Sequence, residues 1–242
     1  MELPPLDRIL AHDESLRAAC AGIEQKDGFH AAANAEIPLP ETNCLLRVRA
    51  APEDAAALVA LASSRGLAVV ADPETRPADL PAALARAGFA SQGRKVLAVF
   101  NPAALVDPPG APTRFTPVGP SELARFTAHA ARGAPSDAVR RLWFFRLRNV
   151  LFSAYMTQDG RAAQGAFCIF HAGGMARFLG PFPQGAGADF ALACSLVRKA
   201  WERAQEKGAE LMYAFARADE AACFRSLGFT LQERMWLETF AR

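Results

Sequence analysis

The stretch LGPFPQGAGADF, Leu179 to Phe190, holds three small residues in a row, Gly185, Ala186 and Gly187, between an apolar run and a long amphipathic segment. A simple turn needs fewer. Glycine admits backbone conformations closed to other residues and lets a ligand approach the main chain. A strand, a glycine-rich loop and then a helix form a physical device for anions. The first amides of the helix lack intrahelical partners, and the helix dipole adds about half a positive charge there. The stretch is not a P-loop, since no Gly-Lys-Ser/Thr closes it, and it lacks the GxGxxG of a dinucleotide fingerprint. The alternative is a turn with Asp189 as the N-cap of the following helix.

Downstream, Leu192, Leu196, Ala200 and Val197, Trp201, Ala204 recur at spacings of three or four, with Arg198, Lys199, Glu202, Arg203 and Glu206 on the other side. That spacing predicts a helix with one buried face, closed by Gly208. Upstream, the apolar runs NVLFSAYMT, AAQGAFCIFHA and MARFLGPF are separated by Asp159-Gly160 and Gly173-Gly174, which are hairpin signals. Three antiparallel strands should therefore lead into the loop. Before them, RFTPVG reads as a short strand and residues 121–132 as a helix, while RRLWFFRLRN (Arg140 to Asn149) reads as the end of a second, amphipathic helix.

An internal repeat extends this order to the whole chain. With Gly88 set over Gly228, GFASQGRKVLAVF lies over GFTLQERMWLETF and matches at six of 13 positions. Ahead of each Gly-Phe pair stands the same succession: a helix ending in a basic residue and glycine (Arg65-Gly66, Lys207-Gly208), a β-like run (LAVVAD, ELMYAFA) and a second helix. This is the mark of a tandem duplication. Pro102, Pro108, Pro109 and Pro112 disfavour both helix and central strand, which puts the boundary in residues 101–113. The domains expected are residues 1–105 and 113–242.

Global features exclude several functions. Lys plus Arg is 27 and Asp plus Glu 25, a net charge of +2, so the balance announces neither a nucleic-acid partner nor an acidic membrane. The five cysteines, Cys20, Cys44, Cys168, Cys194 and Cys223, are odd in number and lack CxxC spacing. That argues against disulfides and zinc and fits a reducing cytoplasm. The acidic start MELPPLDRILAHDES is unlike a signal peptide, and no apolar stretch nears the roughly 18 residues of a membrane helix. A soluble cytoplasmic monomer or homodimer is expected, with no metal. His12, His30, His129 and His171 are solitary.

The segment from Leu179 to Asp189 resembles the strand-to-loop segment of the GNAT superfamily N-acetyltransferases, in which a proline leads into Arg/Gln-x-x-Gly-x-Gly/Ala. Gln184 and Gly187 match; Asp189 stands where the family has glycine or alanine. Leu227-Gly228-Phe229 resembles the family's closing Leu-Gly-Phe, but the tyrosine a few residues before it is Phe224. By order of elements the resemblance covers residues 113–242. The first half resembles the degenerate repeat of tandem members: LLRVRAAPEDAAALV has no glycine between strand and helix.

The resemblance implies an α/β (α+β) chain of two GNAT-like repeats, each a mixed, mostly antiparallel sheet flanked by helices. Acetyl-CoA would be the cosubstrate, bound by the second repeat only. Its contacts would fall to the backbones of Leu179, Gly180, Phe182, Gln184, Gly185, Ala186, Gly187, Ala188 and Asp189, with Phe224 beside them. A backbone N–H would polarise the thioester carbonyl while an amine acceptor attacks it. Tyr213 and Tyr155 are the candidates for returning a proton to the leaving thiolate, and Glu210 and Glu233 for the base. The rival expectation is an inactive relative with a CoA-binding, regulatory or partner-binding role.

Overall fold

The computed structural model describes residues 5–106, 108, 114–131, 135–159, 162–183 and 190–242. In chain order the first repeat has α1 (Leu6–Ala18), β1 (Gly22–Lys26), β2 (Phe29–Ala33), β3 (Cys44–Leu46), α2 (Ala55–Arg65), β4 (Ala68–Ala71), α3 (Leu80–Arg86) and β5 (Ala90–Phe100). The second has β6 (Phe115–Pro117), α4 (Leu123–Ala130), α5 (Asp137–Arg148), β7 (Phe152–Asp159), β8 (Ala162–Ala172), β9 (Met175–Pro183), α6 (Phe190–Glu206), β10 (Leu211–Arg217), α7 (Ala221–Ser226) and β11 (Phe229–Ala241). The expected succession of helix, strand, helix, Gly-Phe and strand is present in both. Gly66 ends α2 in the left-handed conformation at φ 62°, its N–H bonded to Ala62 and Ser63 carbonyls, the cap that glycine favours.

Two compact units divide the chain. The first gathers Met1–Leu97, Phe215–Asp219 and Gln232–Arg242; the second gathers Ala98–Ala214 and Glu220–Leu231. These units do not follow the chain division at residues 105 and 113. The strand that neighbours β4 is β11, the closing strand of the other repeat, paired antiparallel as Glu238↔Ala71, Thr239↔Val70 and Phe240↔Val69. The two closing strands are exchanged between repeats. The reason is burial: Phe240 and Leu237 fill opposite faces of the first unit's sheet.

In the first unit the strand order is β1-β2-β3-β4-β11-β5, with β3 and β4 parallel and the β1–β2, β2–β3 and β4–β11 pairs antiparallel. Val69 and Ala71 pack with Leu58, Ala62, Leu80 and Leu84 of α2 and α3. Ala68 and Val70 face Leu10 of α1. Both faces are covered, which is why β4 is an unbroken apolar run instead of an alternating one.

In the second unit the order is β5-β10-β9-β8-β7-β6, antiparallel from β9 to β6 and parallel between β9 and β10. Gly173 and Gly174, at φ 53° and 74°, turn β8 into β9. A Cβ on Gly165 of β8 would stand 2.9 Å from Leu196 of α6, so glycine lets that helix lie close to the sheet. Its register neighbour in sequence, Ala166, pairs with Phe182, whose ring touches Phe126 of α4 and Trp143 of α5. Because side chains alternate along a strand, α6 covers one face of this sheet and α4 with α5 the other. Among the described residues no helix is long and apolar enough to cross a membrane.

Candidate active site

The parallel ladder between β9 and β10 covers Met175 to Arg177 against Leu211 to Tyr213. Beyond Arg177, β9 runs on to Pro183 paired only on its β8 side. The two strands therefore part where Phe178 to Pro183 begins. In that stretch the β8–β9 register slips, since Ala166 faces Phe182 but Cys168 faces Leu179. Gly180 and Pro181 form the bulge opposite Phe167. Gly180 has φ 141°, and a Cβ there would lie 3.4 Å from Phe167 Cα and from the Phe182 nitrogen. Only glycine holds that backbone without strain. The β-bulge re-aims the main chain next to the opening.

α6 starts at Phe190, immediately after the glycine-rich stretch. Gln184, Gly185, Ala186, Gly187, Ala188 and Asp189 lie outside the described residues. The described flanks, an opening between strands ending at Pro183 and a 17-residue helix from Phe190, are what an anion held on a helix start would require. The first turn of α6 carries no acidic residue.

The two candidate tyrosines fall on opposite faces of the sheet. Tyr155 of β7 pairs with Phe167 and stacks on its ring at 5.4 Å, under the guanidinium of Arg203 of α6 at 5.2 Å. Tyr213 sits beside Arg177 on the face covered by α4 and α5, at the last rung before the strands part. It is fully buried. Burial pushes its phenol far up, the Arg177 cation opposing, so it stays protonated. Burial likewise lowers the Arg177 guanidinium. Phe224 of α7 is 6% exposed and meets Phe229 edge-on at 5.0 Å; Phe229 in turn lies 6.1 Å from Phe178, the first residue of the parted stretch. Glu210 is exposed, and Glu233 belongs to the first unit.

Sequence reasoning passed over two residues here. Arg177 stands at the root of the opening. His129 of α4 is 6% exposed and bonds to the Phe182 carbonyl through a ring N–H, while its Nδ1 has no partner among the described residues. The only sign of it in the sequence was its spacing of three from Phe126, which puts both on the face of α4 that meets the sheet.

No family profile and no curated protein sequence matches the chain. Solved structures do. A GCN5-related N-acetyltransferase from Kribbella flavida superposes with TM-score 0.72 at 16% identity, over 99% of this chain and 96% of that one. A GNAT-family protein from Novosphingobium aromaticivorans gives 0.61 at 18% identity, over 99% of each. A tandem GNAT protein from the clavulanic acid biosynthesis pathway gives 0.50 at 15%, over 76% of this chain and 67% of that one. This chain has the tandem GNAT fold.

The first GNAT repeat has its own parallel pair, β3 and β4, with Cys44↔Ala68 and Leu45↔Val69. There the corresponding opening is stitched shut. Arg76 N–H bonds to the Val48 carbonyl at 2.9 Å and Ala50 N–H to the Arg76 carbonyl at 3.2 Å. The Arg49 guanidinium lies 3.0 Å from Asp72 and 3.1 Å from Glu74. At the start of α2, the Asp54 carboxylate accepts the Ala51 N–H at 3.2 Å. These backbone N–H groups and the Arg49 guanidinium are all paired within this repeat.

Proposed function

We propose that the second repeat binds acetyl-CoA and transfers its acetyl group to an amine of a small molecule or a protein by direct attack on the thioester. The observation that carries this is the parting of β9 from β10 after Arg177, beside the Gly180-Pro181 bulge and ahead of the glycine-rich stretch and α6. The backbones of Leu179, Gly180 and Phe182 would face the pantetheine arm and polarise the thioester carbonyl. Amides from Gln184 to Asp189 would take the pyrophosphate. Pro181 and Pro183 have no N–H to give.

Calorimetric titration with acetyl-CoA and CoA tests the binding, and thiol release across a panel of primary amines tests the transfer. Binding together with release is expected; absence of heat and of any thermal shift at millimolar ligand would overturn the proposal. A second possibility is a CoA-binding protein without turnover, favoured by Phe224, which offers no proton, and by the burial of Tyr213. Binding with no thiol release from any amine would support it.

A further inference from the structure

We propose that His129 is the proton acceptor for the incoming amine, an assignment that rests on the acetyl-transfer proposal above. β9 carries no carboxylate: Met175 to Pro183 reads MARFLGPFP. The site must therefore find its base elsewhere. α4 crosses the end of β9, where Phe126 meets Phe182 edge-on at 6.2 Å and Trp143 at 4.9 Å. His129, one turn further on, reaches the Phe182 carbonyl. With Nδ1 unpartnered, the donor is Nε2–H. That bond fixes the tautomer and leaves the Nδ1 lone pair buried and unpartnered beside the end of β9. A buried acceptor without a partner is costly; an amine N–H from a substrate satisfies it. Imidazole oriented by a second group, with its basic nitrogen unpartnered, is the arrangement a general base requires.

The neighbouring charges agree. On α4 itself Arg125 adds a positive charge near the ring. On α5 the buried Arg146 lies over Trp143 at 4.8 Å, while Asp137 is exposed and paired with Arg140. β9 adds Arg177, and β8 presents Cys168 and no charge on this face among its described side chains. Burial first, then the Arg125 charge, hold the imidazole below its ordinary range, the Phe182 bond opposing. At neutral pH it is uncharged and able to accept a proton.

The step balances. The amine nitrogen bonds to the acetyl carbon, the carbon–sulfur bond breaks with its electron pair on sulfur, and Nδ1 of His129 takes one proton from the nitrogen. That proton passes, directly or through water, to the thiolate, leaving amide, free CoA thiol and neutral histidine.

The test uses the full chain and the fastest amine from the panel. Wild-type kcat should fall on the acid side with a midpoint below 6.5, matching the His129 imidazole titration followed by NMR. His129→Gln should lower kcat about 100-fold and lose that acid limb, with acetyl-CoA affinity within twofold of wild type. Added imidazole should restore part of the turnover of His129→Ala. Wild-type kcat in a folded His129→Gln variant, or an NMR midpoint that does not match the kinetic limb, overturns the assignment alone; the NMR comparison serves if the variants fail to fold. Failure of the wild type to bind acetyl-CoA, or to release thiol with any amine, overturns acetyl transfer itself and this role with it.

Discussion

Gly180 is where one residue decides the shape of the candidate site. At φ 141° it sits in backbone space that a side chain enters only with strain, typically about 1–3 kcal/mol. Its missing Cβ faces Phe167 and the Phe182 nitrogen. Gly180→Ala should therefore straighten or shift the bulge, weakening acetyl-CoA binding more than tenfold with a measurable loss of thermal stability. Unchanged affinity by calorimetry would separate the bulge from the site. Asp189 poses the opposite question. A carboxylate near a pyrophosphate is a like-charge repulsion that salt screens, and glycine still caps a helix acceptably. Asp189→Gly should bind acetyl-CoA more tightly at low salt than at high salt relative to wild type. Weaker binding by the glycine form would make Asp189 a contributor to the site.

At the level of elements, the helices and strands of the second repeat were legible from their own patterns, while α1, β1 and β2 were not read. The partner each would take was not legible. Leu192, Leu196, Val197, Ala200 and Ala204 of α6 are buried as their spacing requires, and β7, β8 and β9 form the antiparallel run that their hairpin signals announced. Which face each tyrosine took depended on strand register, which has no local signature in the chain. His171, near the end of β8, illustrates an energetic consequence. Burial, then the Lys207 charge, lower its pKa, against a bond to the Val150 carbonyl. His129 shifts in the same direction. A histidine whose folded pKa lies below its unfolded value of about 6.5 leaves the unfolded chain binding more protons, so its stabilisation is full above that value and lost as pH falls through it. The midpoint of thermal unfolding should drop between pH 7.5 and 5, and drop less in His171→Gln. Equal drops in both proteins would assign the acid sensitivity to other groups.

For the molecule as a whole, the compact units are discontinuous in sequence, and this has a direct test. Removing Gln232–Arg242 takes Leu237 and Phe240 from the first unit and strips β4 of its antiparallel neighbour. Each large apolar side chain lost from a core costs about 2–5 kcal/mol. Amide hydrogen exchange at Ala68 to Ala71 should accelerate strongly in the truncated chain; retained protection there would mean that β11 contributes little to the first unit. By itself the sequence determined the repeated succession of helix, strand, helix, Gly-Phe and strand, the order of elements in the second repeat and the place of the glycine-rich stretch, because apolar period, glycine and proline act within a few residues. Tertiary structure alone decided three things: which sheet receives each closing strand, the faces of Tyr155 and Tyr213, and the closure of the first repeat by Arg49. GFASQGRKVLAVF and GFTLQERMWLETF both follow the same local pattern after a Gly-Phe pair, so which sheet each joins is chosen by the core its side chains fill.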